Sequence, residues 1–99
     1  MSEQKGEHGD RKDKQLVRVH NEDNGRDYEI KAKDKMTIDE IVGELYARLN
    51  TERRSDDRLR CENGGESVLS FLSLTFAAYL EAGHCPDLRW LFAAGTGGA

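Results

Sequence analysis

The 99-residue chain has one proline, one tryptophan, two cysteines and no long apolar run. Each shortage excludes something. No stretch approaches the roughly 18 apolar residues a membrane span needs, so no membrane partner is expected. The opening MSEQKGEHGDRKDK is charged, but no apolar h-region follows, so it does not read as a signal peptide and a cytoplasmic location is expected. Cys61 and Cys85 could pair on count alone. Without a secretory signal, two thiols are expected to stay reduced and buried. Zinc takes four ligands in structural sites and usually three in catalytic ones. Beyond Cys61 and His84-Cys85 only His8 and His20 remain, without ligand spacing, so neither a metal nor another cofactor is expected. Asn63-Gly64-Gly65 lacks the lysine and following helix of a phosphate loop, and no catalytic triad is recognisable. The chain does not read as an enzyme. Nor is there a surplus of positive charge. The net charge is −4 with the signs interleaved, whereas a nucleic-acid binder usually shows a basic face, so no nucleic-acid partner is expected.

What is present begins after a charged segment, residues 1–14, that is too poor in apolar groups to offset its ordering entropy and reads as a disordered tail. In Gln15 to His20, Val17 and Val19 share one face under the two-residue period of a strand. NEDNG is dense in turn formers, with Asn24-Gly25 as a positive-φ pair. Arg26 to Ala32 then alternates, with Tyr28, Ile30 and Ala32 inward, which predicts a β-hairpin. Thr37-Ile38-Asp39-Glu40 has capping-box spacing. Ile38, Ile41, Val42, Leu45 and Leu49 follow at steps of three and four, which predicts an amphipathic helix fading near Asn50. Arg58 to Cys61 reads as a short strand, Asn63-Gly64-Gly65 as a turn, and Ser67 to Phe71 as a small edge strand. Ser73 to Leu80 suits a second, shorter helix stopped by Gly83, and Leu88 to Ala93 a buried strand with Leu88, Trp90 and Phe92 on one face. A two-stranded hairpin cannot cover the main helix alone, so the last strand must join the sheet. The class is α+β, a mixed sheet wrapped on one main helix, with a domain at 15–94 and a glycine-rich tail at 95–99.

The hairpin LVRVHNEDNGRDYEIKA, the T-x-D-E-I helix entry, the strand RLRC and a last strand running toward Gly97-Gly98 resemble the β-grasp fold of the ubiquitin-like proteins. The resemblance covers residues 15–98. Nearest in character are the bacterial ubiquitin-like modifiers of antiphage conjugation operons. The resemblance implies that Gly98 is the acyl-donating residue, with Gly97 its slender neighbour and with Gly95 and Thr96 lengthening the reach. It implies that Ala99 is removed by a processing peptidase, of the metalloprotease kind in such operons. An activating enzyme would then adenylate Gly98, and a conjugating enzyme would pass it as a thioester toward amines of target proteins. Glycines suit this chemistry because a residue without Cβ lets the backbone thread narrow sites. Ubiquitin carries arginines just before its glycines. Here that stretch is Ala93 to Thr96, so a dedicated activating enzyme is expected.

Two other readings remain open: a β-grasp sulfur carrier with a C-terminal thiocarboxylate, and an adaptor that only binds partners. For partner binding, the outward positions Leu16, Arg18, Arg60, Arg89 and Leu91 make a candidate mixed apolar and basic face. The six lysines all lie at or before Lys35, and every later Lys or Arg position is arginine.

Overall fold

The computed structural model describes residues 14–95; the segments 1–13 and 96–99 lie outside it. The alternation in the first half builds β1 (Lys14–Asn21) and β2 (Arg26–Lys33), an antiparallel pair in which Val17 faces Ile30 and Val19 faces Tyr28. Val17, Val19, Ile30 and Ala32 are buried, while Tyr28, nearer the turn, is only half-buried. Four residues close the hairpin, with Gly25 at φ 73° donating its N–H to the Asn21 carbonyl at 2.8 Å. Asn24 does not share the positive φ expected of a pair. Its side chain accepts the Arg26 N–H at 2.9 Å instead, so the wider loop is stabilised by side chains.

Helix α1 (Ile38–Leu49) starts at Thr37, where the capping box is complete in both directions. Two further first-turn donors, the N–H groups of Ile38 and Asp39, reach the Leu74 and Leu72 carbonyls at 2.8 and 3.0 Å. Its buried stripe is Ile38, Ile41, Val42, Leu45 and Tyr46, and Asn50 ends it in the left-handed region at φ 59°. Strand β3 spans Arg58–Cys61 as its alternation requires. The stretch expected to be an edge strand is different. Only Ser67 bridges to Arg60, and Val68–Phe71 coils into a 3-10 turn that buries Val68. Apolar groups at Val68, Phe71 and Leu72 recur at three and four residues, a helical spacing that wins over alternation.

Helix α2 (Phe76–Glu81) is shorter at its start than the predicted Ser73, because Thr75 caps it by accepting the Ala78 N–H at 3.2 Å. Gly83, at φ 74°, ends it as expected. Strand β4 (Arg89–Ala93) begins one residue late. Leu88 takes φ 52°, a costly region for a leucine, while its carbonyl accepts the Arg18 N–H at 3.0 Å and opens the β1 ladder.

The sheet order is β2-β1-β4-β3, with β1 and β4 parallel and the other pairs antiparallel. The last strand therefore sits in the centre, and α1 packs its stripe across the inner face. This mixed sheet on one main helix is the predicted α+β, β-grasp class. No helix among the described residues is long and apolar enough to cross a membrane.

The cysteines overturn one expectation. Cys61 and Cys85 form a disulfide with Cα atoms 5.7 Å apart, instead of two reduced thiols. Compartment and count say nothing about distance. The register that sets Cys61 opposite Trp90 brings the chain just before β4 against the end of β3.

Candidate functional site

Two places can carry function, the exit of the last strand and the outer face of the sheet. At the exit, β4 leaves the core after Phe92, whose carbonyl accepts the Glu22 N–H at 2.9 Å. The backbone ladder ends there, and carboxylates continue it. Asp23 Oδ2 accepts the Ala94 N–H at 2.7 Å, and Asp57 Oδ1 accepts the Gly95 N–H at 2.8 Å. Asp23 is set by the hairpin turn, where the Asn21 side chain takes the Asp23 N–H at 2.9 Å. Asp57 is buried, a rare place for a carboxylate unless its oxygens are satisfied. Its other oxygen accepts the Tyr46 hydroxyl at 2.6 Å and the Arg54 N–H at 3.0 Å. Burial alone would raise the Asp57 pKa. The Tyr46 hydroxyl, the two amides and the nearby Arg54 charge outweigh it, and the net shift is downward. Tyr46 moves the other way, raised first by burial and then by donating to an anion. Its ring meets Phe92 edge-on at 5.6 Å, so the carboxylate is anchored to the helix and to β4 together. Gly95 lies against Asp56, and a Cβ built there would fall on the Asp56 carboxylate. The exit groove is lined by Thr51, Glu52, Arg54, Asp57, Phe92 and Ala94.

On the outer face, the five residues expected to meet partners do share one side of the sheet. Arg18 pairs across to Arg89, and both Arg60 and His20 pair across to Leu91. They do not form an apolar patch. Leu16 is 47% exposed, but it is four residues along β1 from His20, the neighbour of Leu91. Strand rise and strand spacing together put the two leucines roughly 14 Å apart. Arg18 is 3.4 Å from Glu29 and Arg60 is 3.5 Å from Glu22, exposed pairs that leave the face close to electrically balanced. A shallow groove runs there between Arg18, His20, Asp27, Glu62 and Arg89.

At the far end of β4 the disulfide adjoins a ring cluster. Tyr79 meets Trp90 edge-on, and His84 stacks on Phe71 at 3.9 Å while facing Glu66 at 3.0 Å. Burial pushes the Tyr79 hydroxyl up to about 12. The Trp90 indole N–H offsets part of that rise, but Nε1 is buried without a hydrogen-bond partner among the described residues. Cys61, Cys85 and Asp87 are the one grouping of possible metal ligands among the described residues. The sulfurs there are bonded to each other and carry no thiolate charge.

Of the residues expected at the conjugating end, Gly97, Gly98 and Ala99 lie outside the described residues. Asp23, Asp57 and Tyr46 were not anticipated from sequence. Asp57 sits in the polar run TERRSDD and Asp23 among turn formers, and both look like ordinary loop carboxylates there.

No protein-family model and no curated protein matches the chain. Among solved structures, it is similar to the solution structure of the UBL domain of yeast Ddi1. The TM-score is 0.60 at 18% identity, over 85% of this chain and 91% of that one. At that identity the likeness establishes the fold, a ubiquitin-like β-grasp.

Proposed function

We propose that the chain is a ubiquitin-like protein modifier, cut after Gly98 to release Ala99 and joined through the Gly98 carboxylate to target amines. One observation carries the reading. A ubiquitin-like body holds its central last strand to the edge of the core and leads directly to Gly97-Gly98. A carboxylate is a poor acyl donor, so an activating enzyme must adenylate it before thioester transfer to a conjugating enzyme. The partners are therefore that pair of enzymes, a trimming peptidase of the metalloprotease kind and the targets. The proposed setting is the cytoplasm, in the manner of the bacterial antiphage systems the sequence resembles, where a bridge such as Cys61–Cys85 is unusual and would depend on its burial to persist. The residues that meet these enzymes are the exit groove and, on the sheet, Arg18, Arg60 and Arg89.

The test uses the position of the last basic residue. Trypsin cuts after Arg89, so each conjugate leaves residues 90–98, Trp-Leu-Phe-Ala-Ala-Gly-Thr-Gly-Gly, on a target lysine. Mass spectrometry of digests from cells expressing an N-terminally tagged chain should find that branch, and Gly98→Glu should abolish it. Absence of the branch in the wild type, with cellular activity intact in Gly98→Glu, refutes the reading.

That second outcome would favour the non-conjugated adaptor, a reading supported by the solved neighbour's being named as a domain of another protein. A mass gain matching oxygen replaced by sulfur at Gly98 would instead identify the sulfur carrier.

A further inference from the structure

We infer that Asp23, Asp57 and Gly95 form a clasp that holds the base of the C-terminal segment, and that they act as positioning residues for whatever enzyme seizes Gly98. The functional half of this inference rests on the modifier reading; the clasp itself does not.

The sequence counts Gly95 with the reach-lengthening tail. The structure attaches it to the body. Two consecutive amides, Ala94 and Gly95, donate to two carboxylates that lie 71 and 38 residues away along the chain. Each is a charge-assisted hydrogen bond, stronger than a neutral one. The acceptors come from opposite sides, Asp23 from the β1–β2 turn and Asp57 from the loop before β3, so the chain is gripped between them. The Asp57 carboxylate is fixed by Tyr46, whereas for Asp23 it is the backbone of the turn that the Asn21 side chain holds, leaving an exposed carboxylate within reach of Ala94. Gly95 is the third point, where an added Cβ would fall on the exposed Asp56 carboxylate and push that side chain aside.

The clasp sets a length. Only three residues run from Gly95 to Gly98, and fully extended they span about 10 Å. The acyl carbon is therefore tethered within about 10 Å of a fixed point, and the enzyme that uses it must bring its reacting centre that close to the exit groove. Fixing the base in advance removes ordering entropy from the encounter, which appears as tighter binding of the segment and not as faster chemistry. Asp23→Ala, on an exposed turn, opens one side of the clasp without touching the core. Gly95→Ala disturbs it from the other side.

Amide hydrogen exchange on the full chain reads the clasp directly. In the wild type the Ala94 and Gly95 amides should exchange at least tenfold more slowly than an unprotected amide. Asp23→Ala should release Ala94, and Asp57→Asn should release Gly95. If both amides exchange freely in the wild type, the clasp is overturned. The positioning role is read with the activating enzyme and ATP on chains ending at Gly98. Asp23→Ala and Gly95→Ala should raise KM about three- to tenfold with kcat nearly unchanged. Unchanged KM in both overturns the role. If the wild-type chain is not adenylated at all, the modifier reading fails, and slow exchange at both amides still establishes the clasp.

Discussion

Reduction of Cys61–Cys85 is the perturbation whose size the structure fixes best. The bridge joins residues 24 apart in sequence, and the segment it closes holds the 3-10 turn, α2 and the approach to β4. In the chain-entropy account, a cross-link closing about 25 residues removes near 12 cal/mol/K from the unfolded ensemble, or about 3.5 kcal/mol at 25 °C. A domain of this size has roughly 4–12 kcal/mol in total, so the bridge supplies a large share. The expected loss in Tm is about 14–28 °C, at 4–8 °C per kcal/mol. The assay is urea and thermal unfolding followed by Trp90 fluorescence, for the oxidised protein and for Cys61→Ala/Cys85→Ala. Both cysteines are at most 1% exposed, so a dithiol reductant should attack only on opening of the fold, with a rate that climbs with urea. Two outcomes refute the reasoning. Either the double variant and the oxidised protein unfold within a degree or two of each other, or thiol titration of the native protein finds two free cysteines.

Other consequences concern the caps, the core and the buried titrating groups. Thr37→Ala removes the acceptor at the start of α1 and should cost about 1 kcal/mol in urea unfolding. Phe76, fully buried, should cost about 3–5 kcal/mol as Ala, enough to leave a reduced protein largely unfolded by far-ultraviolet circular dichroism. Asp57 has a folded pKa below its unfolded value of about 3.9, so its stabilisation is complete well above pH 4 and is lost as pH falls through the lower folded value. The urea midpoint of the wild type should therefore drop more steeply than that of Asp57→Asn between about pH 4 and 2, and parallel curves would count against the Asp57 assignment. Tyr79 has its pKa raised to about 12, above the unfolded value near 10, so its contribution holds below pH 10 and is lost on going above it. Phenolate absorbance at 295 nm should show a component rising near pH 12 that Tyr79→Phe removes.

Elements whose signal is local were legible in the sequence. The alternation of β2, the 3.6-residue stripe of α1 with its capping box, and the four residues of β3 are each written within one short window. Their order was enough to anticipate a ubiquitin-like body. Failures came where the deciding partner is far along the chain. Ser67 to Phe71 reads as a strand partner, but such a short, partly apolar stretch does not say whether its carbonyls meet a strand or its own next turn. The spacing rule gives Leu49 and not Tyr46 as the end of the stripe, and Tyr46 is buried because Asp57 and Phe92 meet it from elsewhere in the chain. The disulfide needed the β3–β4 register, and Asp57 needed the fold itself. An aspartate in a polar loop gives no hint that donors from α1, from its own loop and from the chain just past β4 converge on it.

The same register bears on the chemistry an acyl donor must avoid. A chain carrying its own C-terminus as a thioester is exposed to its own nucleophiles, thiols first and amines next. Both cysteines are tied to each other inside the core, and the sequence has no third. The described lysines on β2 and just after it lie toward the end where Lys33 faces Lys14, the start of β1. The exit is at the other end of β1, beside Asn21 and Asp23. Seven residues of strand separate the ends, about 23 Å, more than twice what three residues beyond Gly95 can cover. Arginine at every later basic position adds only protonated guanidinium, which does not attack carbonyls. Drift in residue usage explains the lysine distribution on its own, but not the burial of both sulfurs or the clasp that keeps the reach short. On the modifier reading, those two features would keep an activated Gly98 from the thiols and the lysines of the described body and leave amines of other molecules as its acceptors.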